Sequence, residues 1–245
     1  MTPYTNAGIG HLAQQIAALL QQPTITHGLA RALRAAEKEI DVHRTHSASL
    51  TAWPSGRIED KPRQVQIGGG AHQINGYFSI DVVPPADLLW DIREGIPLYD
   101  STVDLLFSEH FLEHIDYPRS AKYYAREAHR VLAPGGRLIT GVPDAAFVLR
   151  QYPGGTADGD KMIRSWYGKR NCLDDINTHL DLINYVFRDQ DDDPTYHPHF
   201  WAYDHEKLVQ LFTEAGFASV EPWDFDPKLA NPKREWGSVY VIATK

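Results

Sequence analysis

Between residues 11 and 20 the apolar positions Leu12, Ile16, Leu19 and Leu20 recur at helical spacing. A second helical period runs over 26–43 through Leu29, Leu33, Ala36 and Ile40. The spacing predicts two amphipathic helices. Over 47–62 the period is lost and Trp53-Pro54-Ser55-Gly56 supplies turn residues, so this stretch reads as a linker, with a boundary near Lys61. Beyond it short apolar runs at 65–68, 77–82, 103–107 and 137–142 alternate with helical periodicity at 118–132, which predicts a mainly parallel sheet. A helix over 204–215, stopped at Gly216, precedes two β-rich runs at 218–225 and 238–244 that read as a closing hairpin. Three units follow: an N-terminal helical extension and linker at 1–62, a main domain at 63–245, and within it a long insertion at 150–203.

Composition narrows the classes. The chain has 245 residues, 42% of them apolar, which suffices for one large α/β domain. A single cysteine, Cys172, forms no disulfide within the chain, and the opening residues lack the layout of a secretory signal, so a cytoplasmic setting is expected. No apolar run approaches the roughly 20 residues of a membrane span, and no membrane partner is expected. The formal charge of −8 repels polyanions, which argues against nucleic acid as a partner. Over 151–205 ten Asp and no Glu stand against five Lys and Arg, which concentrates the excess there.

The chemistry begins at Val65-Gln66-Ile67-Gly68-Gly69-Gly70, a strand entering consecutive glycines, where a ligand can approach backbone that a Cβ would shield. Alone it could be a core turn. The next apolar run ends in Asp81, the position at which nucleotide-binding α/β folds place a carboxylate for ribose hydroxyls, and Trp90-Asp91-Ile92-Arg93 follows. Two spaced acids after a glycine turn suit an adenosine moiety without a phosphate tail.

The ordered set of Gly68-Gly69-Gly70, Asp81, Asp91-Ile92-Arg93, Ser108-Glu109-His110-Phe111-Leu112-Glu113-His114, Arg130-Val131-Leu132-Ala133-Pro134-Gly135-Gly136 and Val142-Pro143-Asp144 resembles class I S-adenosylmethionine-dependent methyltransferases of the type 11 kind over about residues 65–245. The resemblance implies an α/β, Rossmann-like seven-stranded sheet with its last strand antiparallel. It also implies Gly68 and Gly70 at the methionine part of the cofactor, Asp81 at the ribose, Asp91 and Ile92 at the adenine, and Ser108, Glu109 and His110 at the edge of the methyl-donor pocket. One departure is plain: only residues 71–76 separate the glycines from the second strand, so the first crossover is shortened and another segment must complete the cradle.

His110, Glu113 and His114 stand at i, i+3 and i+4 and can converge on one face of a helical turn. A similar stretch in some metal-assisted O-methyltransferases holds magnesium, which makes these three candidate ligands for Mg2+ or another divalent cation. A purely structural role in capping the turn is the alternative. Asp144 lies after the fifth strand, at the sheet edge where α/β sites form, or else caps a helix. The insertion carries Trp166, Tyr167, Asn177, His179, Asp181, Asn184, Tyr185, Tyr196, His197, His199, Trp201 and Tyr203, side chains suited to a polyhydroxylated ligand or to packing under a large loop.

The expectation is therefore methyl transfer from S-adenosylmethionine to a hydroxyl of a sugar or oligosaccharide, with His110, Asp144 and His199 as candidate general bases. The resemblance extends to sugar O-methyltransferases of polysaccharide pathways, the actinobacterial methylmannose polysaccharide type among them. Competing readings are O-methylation of a small phenolic or quinone-like metabolite and a cofactor-binding subunit without activity. The N-terminal stripes would serve as a lid, a homodimer surface or a cover for the sheet.

Overall fold

The computed structural model describes residues 6–52, 58, 61–154, 156–162, 178–188 and 198–245. Seven strands, β1 (Gln64–Ile67), β2 (Phe78–Asp81), β3 (Leu88–Leu89), β4 (Val103–Glu109), β5 (Leu132–Pro143), β6 (Ser219–Pro222) and β7 (Ser238–Thr244), make one sheet in the order β3-β2-β1-β4-β5-β7-β6. The first five are parallel and β7 is antiparallel to both neighbours. This is the Rossmann-like class I methyltransferase sheet that the resemblance implies. Central positions such as Val65, Ile67, Ile80, Leu106 and Val241 are fully buried, as parallel strands covered on both faces require.

The β1–β2 connection, residues 68–77, contains turns and no helix. A parallel return this short is feasible because each strand has only four residues, roughly 13 Å, while ten residues of extended chain reach roughly 33 Å. Gln66, buried within β1, pins the loop: its Nε2 donates to the His72 carbonyl at 2.7 Å and its Oε1 accepts from Ile74 N at 2.9 Å. The edge strand β3 is absent from the hydrophobic pattern because two residues show no alternation.

Two helices precede the sheet, α1 (Asn6–Leu20) and α2 (His27–Ala52). The expected linker is corrected over residues 47–52, which continue α2. The Ser and Thr residues that read as turn formers bond back into the helix or onto the sheet: Thr51 Oγ1 donates to the Ser47 carbonyl at 3.0 Å and Ser49 Oγ to the Leu89 carbonyl at 2.6 Å. The expected apolar stripe is also not the face that packs, since Leu29 is 49% exposed while Val42, His46 and Ser49 are buried. Trp53-Pro54-Ser55-Gly56 lies outside the described residues.

Helix α3 (Arg119–Val131) covers one face of the sheet with Tyr124, Ala125, Ala128 and Val131, spaced along one stripe and fully buried. In the insertion, α4 (Ala145–Gln151), α5 (Ala157–Met162) and α6 (His179–Arg188) are described, and Ala145, Val148 and Val186 form a small core of their own. Trp166, Tyr167, Cys172, Asn177, Tyr196 and His197 lie outside the described residues. Helix α7 (His205–Glu214) starts at Asp204, whose Oδ1 accepts from Lys207 N at 2.8 Å, and leads into β6. Among the described residues no helix is long and apolar enough to cross a membrane.

Candidate active site

A cavity of about 640 Å³ opens at the carboxyl ends of β1, β2 and β4, the place where open parallel sheets form ligand sites. Its base is the glycine turn. Gly68 has φ +67°, and a Cβ there would lie 2.7 Å from the Phe111 ring; Gly70 has φ +53° and faces open space. Both positions need the left-handed region that glycine enters without strain. Asp81, at the end of β2, reaches back to this turn: its Oδ2 accepts from Gly70 N at 2.8 Å and its Oδ1 from Val82 N at 2.6 Å.

The second acid is held more firmly. Asp91 caps a 3-10 turn by accepting from Arg93 N at 3.0 Å and pairs with the Arg93 guanidinium at 2.8 Å. Arg93 in turn meets Glu39 of α2 at 2.7 Å, and the two carboxylates hold its pKa above the ordinary value. His46 of α2 packs on Trp90 with ring centroids 4.1 Å apart, and its Nδ1 accepts from Asp91 N at 3.4 Å. With Val42 in the lining, α2 supplies a wall of the cavity beside the shortened crossover. A wall the sequence did not suggest comes from the β6–β7 connection, through Asn231, Lys233 and Arg234.

Ser108 and Glu109 do not line the cavity, which corrects their placement at the donor pocket. Alternation along β4 sends Ser108 into the core, 3.0 Å from Thr140 Oγ1, and Glu109 to the opposite face. There Glu109 accepts from Tyr240 OH at 2.7 Å and pairs with Arg234 at 3.1 Å, and so anchors the loop that forms the far wall. At His110 the chain leaves the strand with φ +52°, an uncommon conformation for a residue with a Cβ. Two bonds fix it, His110 N to the Gly141 carbonyl and His110 Nε2 with Ser238 Oγ, each 2.8 Å. Burial, then the Arg234, His199 and His114 charges, push the His110 pKa well below 6.5, so the imidazole on the cavity wall is neutral.

Of the three candidate bases only His110 lines the cavity. Asp144 stands at the N-terminus of α4 without capping it; its Oδ2 faces Arg150 at 3.5 Å and its buried Oδ1 has no hydrogen-bond partner among the described residues. His199 is buried behind His114, with ring centroids 4.8 Å apart.

The expected ligand trio is rearranged. His199, brought in by the insertion, joins Glu113 and His114, and the ligand atoms of these three lie within 4.8 Å of one another. His110 Nδ1 stands 3.7 Å from Glu113 Oε1. Two imidazoles and one carboxylate do not fit magnesium, which takes oxygen ligands in near-ideal octahedra. By contrast the cavity fits S-adenosylmethionine: its volume is in the range of small-ligand sites, and the glycine turn leaves the approach that a Cβ at residue 70 would occupy.

In the segment after the insertion's last helix Trp201, 41% exposed, stacks on Tyr117 at 4.7 Å with Lys207 beneath that ring at 4.5 Å. Phe200 N donates to the Glu113 carbonyl at 2.7 Å and ties this segment to the turn after β4. Asp181 is taken up by Thr178 in a helix cap, and His179 faces Asp160 at 3.4 Å.

Residues 84–140 match the family model of a methyltransferase domain. Over 58 residues the chain is 40% identical to an uncharacterized 37.1 kDa protein in transposon Tn4556 of Streptomyces fradiae, a match spanning 24% of this chain and 16% of that protein. A SAM-dependent methyltransferase of Thermotoga maritima, described as a possible histamine N-methyltransferase, is 20% identical with a TM-score of 0.43, covering 88% of this chain and 97% of that one. A SAM-dependent methyltransferase of Methanosarcina mazei is 19% identical with a TM-score of 0.45, covering 74% and 91%.

Proposed function

We propose that this protein is a methyltransferase that transfers the methyl group of S-adenosylmethionine to a hydroxyl of a sugar or oligosaccharide. The observation that carries the donor half is the cavity itself, with Gly68 and Gly70 at its base and Asp81 and Asp91 at the ends of successive strands. Bound there, S-adenosylmethionine supplies an electrophilic methyl on sulfonium. The glycines admit the chain of the donor, Asp81 and Asp91 face its ribose and adenine, and α2 closes the adenine end. In that site an acceptor hydroxyl would bond to the methyl carbon as the carbon–sulfur bond broke, leaving S-adenosylhomocysteine, and its proton would pass to a base. His110 fits that role by position, on the cavity wall with its Nε2 held by Ser238 Oγ.

Support for a sugar is the Trp201–Tyr117 stack, an exposed aromatic face of the kind on which a pyranose ring lies, beside a turn rich in imidazole and carboxylate. The same stack would also take a flat phenolic or quinone-like ring. The test is calorimetric titration with S-adenosylhomocysteine, followed by transfer of labelled methyl from S-adenosylmethionine to monosaccharides, oligosaccharides and catechols. Micromolar product binding and label in the sugar fraction are expected. Absence of binding would overturn the donor site, and label confined to catechols would overturn the sugar.

A further inference from the structure

We infer that Glu113, His114 and His199 form a binding site for a divalent transition-metal cation of the zinc, cobalt or iron(II) kind, not for magnesium. The inference concerns the turn beneath the cavity and does not depend on the acceptor reading.

The three groups come from two distant places, the 3-10 turn after β4 and the end of the insertion. The Glu113 side chain is 2% exposed, and its Oε1 lies 4.0 Å from both His114 Nε2 and His199 Nε2. Those separations exceed a hydrogen bond. They exceed by about 0.6 Å the spacing of about 3.4 Å that two ligand atoms take around one tetrahedral ion with bonds of about 2.1 Å, so a bound ion would draw the three side chains together. A second observation orients the ligand: His199 Nδ1 sits 2.8 Å from the Val186 carbonyl. A carbonyl only accepts, so Nδ1 carries a proton and Nε2 is the nitrogen that faces Glu113. A backbone carbonyl holding the far nitrogen of an imidazole is the usual support of a metal-bound histidine. Third, the Tyr203 hydroxyl is 1% exposed and has no hydrogen-bond partner among the described residues.

Ligand chemistry selects the ion. Magnesium prefers carboxylates and water, whereas two imidazoles with one carboxylate are the donors of zinc and of non-haem iron(II). His114 also lines the cavity, so the cation would sit between the donor cleft and the insertion and tie the two together. A cation at that point lowers the pKa of a hydroxyl that coordinates it.

The test uses the full-length protein stripped with chelator and titrated separately with Co2+, Zn2+ and Mg2+, with S-adenosylhomocysteine binding measured in parallel. We expect one equivalent of Co2+ with visible d–d absorption, micromolar or tighter, and Mg2+ weaker by at least about 100-fold. His199→Ala, and Glu113→Gln as a variant that keeps the shape of the side chain, should each weaken Co2+ binding by about 10- to 100-fold. Failure of Co2+ and Zn2+ to bind at millimolar concentration, Mg2+ binding equal to Co2+, or unchanged Co2+ affinity in both variants would overturn the inference. If the product binds and no metal does, the donor site stands and the metal site falls. If one Co2+ binds and the product does not, the reverse holds.

Discussion

At the residue scale the two glycines of the turn separate folding from binding. Gly68→Ala places a Cβ 2.7 Å from the Phe111 side chain at φ +67°, so both strain and collision disturb the packing of Phe111 on Tyr124. Gly70→Ala meets nothing within 4 Å, although φ is +53°. A left-handed alanine costs about 1 kcal/mol. Gly68→Ala should therefore lower the melting temperature by more than Gly70→Ala, while Gly70→Ala should keep the fold and lose at least about tenfold in S-adenosylhomocysteine affinity, because its methyl stands in the cavity. Thermal melts and calorimetry of the pair check this, and equal effects on both readouts would contradict it. These glycines and Asp81 were legible in the sequence because they follow apolar runs at fixed places. Ser108 and Glu109 were misplaced because a motif gives position along a strand, and only the pleat decides which face a side chain takes. His199 beside Glu113 and His114 was legible only as a candidate base, since nothing in its spacing from Glu113 reports their approach.

Among the elements, α2 differs most from its sequence pattern, and the reason is what it packs against. Its apolar period marks a stripe that the fold leaves largely exposed, while the buried face is Val42, His46 and Ser49, two of them polar and satisfied by Asp91 N and the Leu89 carbonyl. His46 accepts through Nδ1, so it must be neutral there, and burial holds its pKa below 6.5. Asp91 and Glu94 oppose that shift, His43 adds to it, and the nearby Glu39–Arg93 pair is internally balanced. A histidine whose folded pKa is depressed binds fewer protons folded than unfolded, so stability falls as pH drops through the range below 6.5. Wild type should lose more stability than His46→Gln between about pH 7 and pH 5.5, with urea midpoints as the measurement. Parallel losses would show that this imidazole does not couple α2 to the sheet. The shortened crossover, by contrast, was read correctly from the sequence, because a count of residues between strands is a physical limit on what can be built there.

For the whole molecule, the cavity draws its walls from nearly the full length of the chain: Val42 of α2, the turn after β1, the end of β4, and Asn231 to Arg234 before β7. The fold class was legible because alternation of strands and helices gives a mainly parallel sheet, and the resemblance implies its seven strands with the last one antiparallel. The contribution of the β6–β7 connection to the site was not, since it depends on long-range packing. That arrangement has a thermodynamic consequence. A ligand that bridges α2, the sheet and the β6–β7 connection stabilises them together, by about 2.7 kcal/mol at a hundredfold excess over Kd. For a chain of 245 residues each kcal/mol raises Tm by roughly 2–4 °C, so S-adenosylhomocysteine should shift one cooperative transition upward by roughly 5–10 °C. Calorimetric scans with and without the ligand distinguish this from the division at residue 62 suggested by the pattern. Two transitions, with the ligand moving only the later-melting one, would mean that residues 1–62 fold apart from the site. A single transition that moves as a whole would make α2 part of the domain, bound into it by Ser49 on β3, His46 on Trp90 and Glu39 on Arg93.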